Sequence, residues 1–168
     1  MRKSSALIAA AFAMLGSMYA ANTAAASTQT GKVIDNFLAS STAYCATPQG
    51  DSTANGAIIT LWVCDGARSQ LWHRNANDQL VNDASGKCLT PQGDAYSTNG
   101  AILTLWTCNP AQLPSQGWLS LDYPLLNDAF KAMTPYGNRM ANGVYLTLWT
   151  EASPDIAPVQ EWGLDQSW

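Results

Sequence analysis

Apolar and polar positions beyond residue 26 follow a short alternating pattern that predicts β-strands rather than helices. Three runs rich in β-branched and large apolar side chains stand out, at residues 57–63, 101–107 and 144–150. An Asn-Gly pair opens each run, and this pair is a strong signal for a tight turn. Because no stretch beyond residue 26 holds a long apolar period of 3.6 residues, the sequence predicts an all-β domain.

The three runs belong to longer repeats whose motifs stay in register. The full motif, Asn-Gly-x-x-x-Thr-Leu-Trp, occupies residues 55–62, 99–106 and 142–149. A Thr-Pro-x-Gly turn precedes each copy, at residues 47–50, 90–93 and 134–137. A Gln-x-Trp motif follows each copy, at residues 70–72, 116–118 and 160–162. Since one such unit cannot bury a core alone, the pattern predicts three repeats closed around a three-fold axis, at about residues 33–74, 75–120 and 121–164.

The N-terminal segment has the pattern of a secretion signal. Two cations precede an apolar stretch, residues 6–15, and small residues follow as far as Ala26. This order predicts a signal peptide over residues 1–26 and a secreted domain over residues 27–168, with cleavage after Ala24 as the alternative. A membrane anchor is disfavoured because the apolar stretch falls short of the roughly 20 residues needed to span a bilayer.

The charge of the chain excludes some classes of partner. The formal net charge is −4 at pH 7, and two of the cations lie in the predicted signal peptide. We therefore expect no nucleic-acid partner and no binding to anionic membrane surfaces, because both are bound by cations that neutralise phosphate. We also expect no membrane insertion, because no stretch beyond residue 26 could span a membrane. Only 12% of residues are charged, so Thr, Asn, Gln and Ser must make many surface contacts, which suits neutral polar partners such as sugars.

Four cysteines fall at equivalent positions of the first two repeats: Cys45, Cys64, Cys88 and Cys108. Four cysteines allow three pairings. The third repeat holds Ala132 and Glu151 at the two corresponding positions, so its cysteines are missing as a pair. The repeats therefore predict disulfides within a repeat, Cys45–Cys64 and Cys88–Cys108, each of which should stabilise the fold by about 3 kcal/mol.

The sequence indicates no catalytic centre, no cofactor and no metal site. The chain has one histidine, His73, and no nucleophile motif surrounds it. It has no Cys-x-x-Cys pair, no phosphate-binding loop and no dinucleotide fingerprint, and no motif places two carboxylates at glycosidase spacing. We expect a binding module rather than an enzyme.

The combined motif Cys-x-Thr-Pro-x-Gly, Asn-Gly-x-x-x-Thr-Leu-Trp-x-Cys and Gln-x-Trp resembles the ricin-B lectin family, over about residues 33–162. This family also includes carbohydrate-binding modules attached to bacterial glycosidases. The resemblance implies a β-trefoil with up to one shallow sugar pocket per repeat. It also implies that the Trp of each Gln-x-Trp fills the core, at Trp72, Trp118 and Trp162.

In that family an aromatic platform and a polar Gln form part of each pocket. The resemblance places the platforms at Trp62 and Trp106, with a third at Trp149. It places the Gln at Gln70 and Gln116. The pattern leaves open whether the three Trp platforms are exposed or pack under the hairpins, since neighbouring Leu and Trp alternate between the two faces of a strand.

The carboxylate of the family's pocket is missing from its usual position. Thr47 and Thr90 stand there, and a Thr hydroxyl is a weaker acceptor than a carboxylate. Asp51 and Asp94, in the same turns, could supply a carboxylate instead, or they could be solvated turn residues. The third repeat has Asn138 at that position and no cysteines, so we expect the weakest pocket there.

Two classes of function fit these features. The first is a secreted lectin-like module that binds glycans or glycoproteins through aromatic sites. The alternative is a protein-binding trefoil with decayed sugar pockets, such as an inhibitor, an effector or the delivery subunit of a toxin or enzyme partner. The preserved Trp platforms favour the first class and the missing Asp favours the second, because function lies in the site and not in the scaffold.

Overall fold

A computed structural model describes residues 31–36, 41–120, 124–152 and 158–164, and the predicted signal peptide lies outside these ranges. The described residues form twelve strands, four in each third of the domain. The first third has β1 (Lys32–Asn36), β2 (Tyr44–Pro48), β3 (Ile59–Val63) and β4 (Leu71–Arg74). The second has β5 (Leu80–Asn82), β6 (Lys87–Pro91), β7 (Leu103–Trp106) and β8 (Trp118–Ser120). The last has β9 (Leu125–Asn127), β10 (Lys131–Pro135), β11 (Leu146–Thr150) and β12 (Gly163–Leu164).

Helical structure in this part of the chain is confined to single turns. One α-helical turn, α1 (Leu113–Gln116), precedes β8. Six short 3-10 turns join the strands, at residues 49–51, 68–70, 92–94, 110–112, 136–138 and 158–160. The prediction of an all-β domain is confirmed.

Six of the strands pair into a ring. β1 pairs with β4, β4 with β5 and β8 with β9, and β12 pairs back with β1. Bridges between Gln79 and Gly117 and between Pro124 and Glu161 connect the two remaining neighbours. The other six strands form three hairpins, β2–β3, β6–β7 and β10–β11. A ring of six strands with three hairpins around a pseudo-three-fold axis is the predicted β-trefoil.

The core receives five equivalent side chains from each third of the domain. Three of the five are the Trp of Gln-x-Trp and two apolar residues of the second hairpin strand. The full set is Ile34, Ala46, Ile59, Leu61, Trp72, Leu80, Leu89, Leu103, Leu105, Trp118, Leu125, Met133, Leu146, Leu148 and Trp162. Each set alone is too small to exclude water, so the three sets must pack together to bury their apolar surface.

The Trp of each Gln-x-Trp is buried and hydrogen-bonded. Trp72, Trp118 and Trp162 are at most 1% exposed. Each indole Nε1–H donates to a backbone carbonyl of the hairpin in its own repeat, that of Ala46, Leu89 or Met133, at 2.8 to 3.1 Å. The predicted core role of these three residues is confirmed, and the hydrogen bonds satisfy their only polar group.

A cycle of backbone hydrogen bonds joins the three hairpins. The Gly56 N–H donates to the Leu105 carbonyl at 2.8 Å, and the Leu105 N–H donates to the Ala57 carbonyl at 2.8 Å. Gly100 makes the same contact with Leu148, and Gly143 makes it with Leu61, which returns the cycle to the first hairpin. These glycines have φ near +80°, a conformation that Gly adopts without steric cost.

Two disulfides cross the bases of the first two hairpins. Cys45 is bonded to Cys64 and Cys88 to Cys108, with Cα atoms 5.1 and 5.0 Å apart. This is the pairing within repeats that the sequence predicts. No helix among the described residues is long and apolar enough to cross a membrane.

The two environments of Trp within one repeat give a direct test of the core. Trp118→Ala should lower the free energy of unfolding by about 3–5 kcal/mol, because it leaves a large cavity and removes the bond to Leu89. Trp106→Ala, at an exposed position on the hairpin of the same repeat, should lower the free energy of unfolding by about 0.5 kcal/mol or less. Urea unfolding followed by circular dichroism measures both values. Equal costs for the two variants would contradict the assignment of Trp118 to the core.

Candidate functional site

A cleft opens beside each hairpin at equivalent positions of the three repeats. Each cleft is lined by a Thr of the first hairpin strand, a Trp of the second, a turn Gly and the Asp or Asn that follows it. We call these cleft one (Thr47, Gly50, Asp51 and Trp62), cleft two (Thr90, Gly93, Asp94 and Trp106) and cleft three (Thr134, Gly137, Asn138 and Trp149). Their volumes are about 200, 230 and 420 Å³. Cleft three, where the sequence predicts the weakest pocket, is the largest.

The platform Trp residues are exposed. Trp62 and Trp106 are each 47% exposed and Trp149 is 41% exposed, whereas the Leu that precedes each of them is fully buried. Alternation along the strand therefore sends Leu to the core and Trp to the cleft. This answers the question that the sequence leaves open, because none of the three Trp side chains packs under its hairpin.

The Thr residues lie at the buried floor of their clefts. Thr47 and Thr90 are only 6% and 7% exposed. Their hydroxyls donate to the carbonyls of Cys45 and Cys88, at 3.0 and 2.9 Å. The hydroxyl proton is thus used by the backbone, and what each Thr can offer a ligand is an acceptor oxygen.

The Gln of each Gln-x-Trp is also buried, and the protein occupies its amide group. In the first repeat Gln70 Oε1 accepts the N–H groups of Asp65 and Gly66, at 2.9 and 3.2 Å, and its Nε2 donates to the Val63 carbonyl at 3.1 Å. Gln116 likewise accepts the Asn109 N–H and donates to the Thr107 carbonyl, at 2.8 and 3.1 Å. The structure therefore places Gln70 and Gln116 as clips that hold the loop against the end of the hairpin.

One bond of this clip differs between repeats. Gln116 Nε2 donates to Thr90 Oγ1 at 3.1 Å, and Gln160 Nε2 donates to Thr134 Oγ1 at 3.0 Å. Within the described part of the chain, Gln70 makes no such bond to Thr47. The acceptor oxygen of Thr47 therefore has fewer internal partners than those of the other two clefts.

The turn acids stand at the edges of their clefts because of an uncommon backbone. Asp51 and Asp94 have φ of +53° and +61°, and each follows a Gly with φ near +60°. Asp and Asn tolerate this left-handed region better than most residues. Two consecutive left-handed residues turn the chain sharply and bring the carboxylate into the cleft lining.

Of the two turn acids, Asp51 is the one that a side chain anchors among the described residues. Ser69 Oγ donates to Asp51 Oδ1 at 2.5 Å. In the second repeat the equivalent Ser115 donates instead to the Gln112 carbonyl, at 3.2 Å. Asp51 is therefore held in one position, whereas the structure shows no such support for Asp94.

Cleft one contains a second carboxylate that sequence reasoning missed. Asp65 lies in its lining, and its Oδ1 accepts the Ala67 N–H at 2.8 Å. Asn109 and Ala152 occupy the corresponding positions of the other repeats. Alignment of the loops after the second cysteine position was the signal that could have found it, since only the first repeat has an acid there.

The histidine lies outside the three clefts. His73 Nδ1 lies 2.6 Å from Asp83 Oδ1, and neither residue belongs to the lining of the three clefts. Among the residues that the structure describes, no group of three His, Cys, Asp or Glu side chains could hold a metal ion.

Comparison with known proteins identifies a family. The sequence matches the ricin-type β-trefoil lectin domain over residues 21–162. No relative among curated proteins matches the chain.

Three solved structures share the fold at low sequence identity. A designed three-fold symmetric protein, ThreeFoil, has a TM-score of 0.66 at 19% identity, covering 77% of this chain and 94% of that chain. The C-half of the earthworm R-type lectin, in complex with GalNAc, has a TM-score of 0.62 at 12% identity, covering 77% and 94%. The β-trefoil lectin of Vibrio vulnificus hemolysin/cytolysin, with N-acetyl-D-lactosamine bound, has a TM-score of 0.60 at 19% identity, covering 79% and 92%.

The clip role of Gln is testable within one loop. Gln116→Ala should destabilise the domain by about 1–3 kcal/mol, because it leaves buried N–H and carbonyl groups unpaired. Gln112→Ala, an exposed neighbour, should change the free energy of unfolding by less than about 0.5 kcal/mol. Chemical denaturation of both variants makes the comparison, and a Gln116 variant as stable as the Gln112 variant would refute the clip.

Proposed function

The chain belongs to the ricin-type β-trefoil lectin family, and from this premise we propose that it is a secreted, non-catalytic module that binds glycans through clefts one and two. The observation that carries the proposal is an exposed Trp platform beside a turn carboxylate in both clefts. A sugar ring presents an apolar C–H face and a polar edge of hydroxyls. A flat aromatic surface next to hydrogen-bond acceptors matches both parts.

The carboxylates compensate for the Thr residues at the family's usual Asp position. A carboxylate has two oxygens and can accept bonds from two hydroxyls. Asp51 is already fixed by Ser69, so less conformational entropy is lost when it binds a ligand. We therefore expect cleft one to bind more tightly than cleft two. Gln70 and Gln116 contribute by holding the cleft walls, and Thr47 and Thr90 contribute acceptor oxygens at the floor.

Each site should be weak by itself. The clefts are shallow, and the strongest acceptor of the family's pocket is replaced. We therefore expect dissociation constants in the millimolar range, which correspond to a binding free energy of about −4 kcal/mol. Two clefts that engage one multivalent glycan would raise the apparent affinity without new contacts. The natural ligand is then a repetitive or densely displayed glycan.

Secretion is part of the same proposal. The N-terminal pattern predicts a signal peptide, and disulfides such as Cys45–Cys64 persist in oxidising compartments outside the cytosol. Glycans displayed on cells and secreted proteins are available in that setting.

A protein partner is the second candidate function. The specific observation in its favour is that Thr47 and Thr90 are nearly buried and use their protons internally, which leaves the pocket floors poor in donors. A glycan array probed with residues 27–168 separates the two candidates. Binding to any glycan supports the lectin function, and binding to none favours a protein partner.

The platforms provide a test of the site assignment. Replacing Trp62 and Trp106 together with Ala should reduce binding to monosaccharides displayed on a surface by more than about tenfold, because both stacking faces are lost. The fold should persist, since both side chains are outside the core. Trp149→Ala is the matched control and should have a smaller effect on the same surface. Unchanged binding by the double variant would exclude clefts one and two.

The anchored carboxylate provides an independent test. Asp51→Asn in a Trp106→Ala background should weaken monosaccharide binding by about tenfold, because a neutral amide is a poorer acceptor. Asn suits the backbone there, since Asn138 has the same conformation in the third repeat. Asp94→Asn in a Trp62→Ala background should weaken monosaccharide binding by a smaller factor. Calorimetric titration gives both constants, and a larger loss at Asp94 would contradict the role of Ser69.

A further inference from the structure

Cleft three differs from the other two in size and in chemistry. It is about twice as large, and Asn138 and Ala152 replace the acids of cleft one. Ala152 has a smaller side chain than Asp65 and Asn109 at the corresponding positions. The described lining of cleft three contains no carboxylate, so it offers the hydroxyls of a single ring fewer acceptors than cleft one does. Any ligand it holds must gain its binding free energy from a larger contact area.

The third hairpin provides such an area. Trp149, Thr147 and Tyr145 alternate with Leu148 and Leu146, so they lie on one face of β11 and its continuation. Trp149 is 41% exposed and Thr147 is fully buried, so the contact area comes from the aromatic side chains at the two ends. The register pairs Thr134 with Thr147 on this face. Tyr145 and Trp149 are four residues apart, which corresponds to about 13 Å along a strand. This distance is longer than one sugar ring.

A stacked pair of tyrosines closes the far end of this face. The Tyr136 and Tyr145 rings have centroids 4.6 Å apart and an interplanar angle of 24°. The Tyr136 N–H also donates to the Tyr145 carbonyl at 3.0 Å, which continues the hairpin ladder. Tyr136 is 52% exposed. The stacking joins the two side chains into one plate that carries a hydroxyl on each ring. Desolvation, and then the hydrogen bond and the charge interaction with Tyr136, raise the pKa of Tyr145.

This plate is unique to the third repeat. Gln49 and Gln92 occupy the position of Tyr136 in the other repeats, and Ile58 and Ile102 occupy that of Tyr145. Gln49 belongs to the lining of cleft one, so the position borders the cleft in this fold. Tyr136 itself directly precedes Gly137 and Asn138, which line cleft three.

We propose that cleft three and the Tyr136–Tyr145 plate form one extended site for an unbranched oligosaccharide, with one ring stacked on Trp149 and a later ring on Tyr136. The inference rests on the proposed lectin function and adds a ligand class to it. Clefts one and two recognise a single ring through a carboxylate, whereas this site binds a single ring weakly and a longer chain more tightly. Its affinity depends on the number of linked rings.

The experiment isolates the site with replacement residues that occur at the equivalent positions of the other repeats. The parent is Trp62→Ala/Trp106→Ala, which leaves only cleft three with its platform. The test variant adds Tyr136→Gln and Tyr145→Ile, the residues that the other two repeats carry. These replacements suit the same hairpin geometry, and thermal unfolding checks that each variant is folded. Probes are β-1,4-linked galactose, glucose, xylose and N-acetylglucosamine, each from monomer to tetramer, titrated by calorimetry.

In at least one series the association constant of the parent should rise by about tenfold or more from monomer to tetramer. The Tyr136→Gln/Tyr145→Ile variant should lose that rise and keep the weak monomer binding. Trp149→Ala in the parent should remove binding altogether.

Other outcomes overturn the inference. A rise with chain length that survives both Tyr replacements excludes the plate. Tyr145 also forms a β-bridge with Thr60 of the first hairpin. The Trp106→Ala/Trp149→Ala variant, which leaves cleft one intact, therefore serves as a second background. If the association constant rises with chain length only in that background, the plate belongs to cleft one instead. If the wild-type protein binds monomers but the parent binds no tetramer, this inference fails and the proposed function stands. If the wild-type protein binds no probe, both fail.

Discussion

The cycle of hydrogen bonds between the hairpins is the constraint on which the rest of the molecule depends. Each turn Gly donates to a Leu of the next hairpin, and that Leu donates back. The cycle closes only with three copies, and it fixes the register of every hairpin. A slip of one residue would exchange the faces of the strand and send Trp62, Trp106 and Trp149 into the core. The same bonds therefore determine which residues are buried and which residues are available to a ligand.

The Gln-x-Trp motif has a structural role in each repeat. In the first repeat, Trp72 reaches inward to the Ala46 carbonyl, while Gln70 clips the following loop to the Val63 carbonyl. One short motif thus ties the core, the hairpin and the cleft wall together. This explains why the motif persists in the third repeat, where the cysteines and the turn acid are absent. Three copies in register indicate the fold, whereas the residues around the motif differ between the clefts.

Much of the fold could be predicted from the sequence, because three imperfect copies of one motif show which residues are equivalent. Strand positions, the three core Trp residues and the pairing of Cys45 with Cys64 follow from that equivalence and from period-two alternation. The hydrogen-bond partners of equivalent side chains cannot be predicted in this way. Ser69 and Ser115 are equivalent in sequence, yet Ser69 supports Asp51, whereas Ser115 lies in an extra helical turn, α1, and donates to the Gln112 carbonyl just before it. Such differences depend on loop geometry that neither composition nor spacing records.

The three clefts show how one scaffold can separate stability from recognition. The residues that differ most between them, namely the turn acid, the loop residue after the second cysteine position and the residue at Tyr136, all lie outside the hydrogen-bond cycle and the core. Among the described lining residues, carboxylates therefore decrease from two in cleft one to one in cleft two and none in cleft three. Exposed aromatic surface is largest in the third repeat, where Tyr136 adds to Trp149. Because these side chains lie outside the core, one repeat can carry acceptors and another an apolar surface on the same scaffold, which under the proposed function separates recognition of one ring from contact along several.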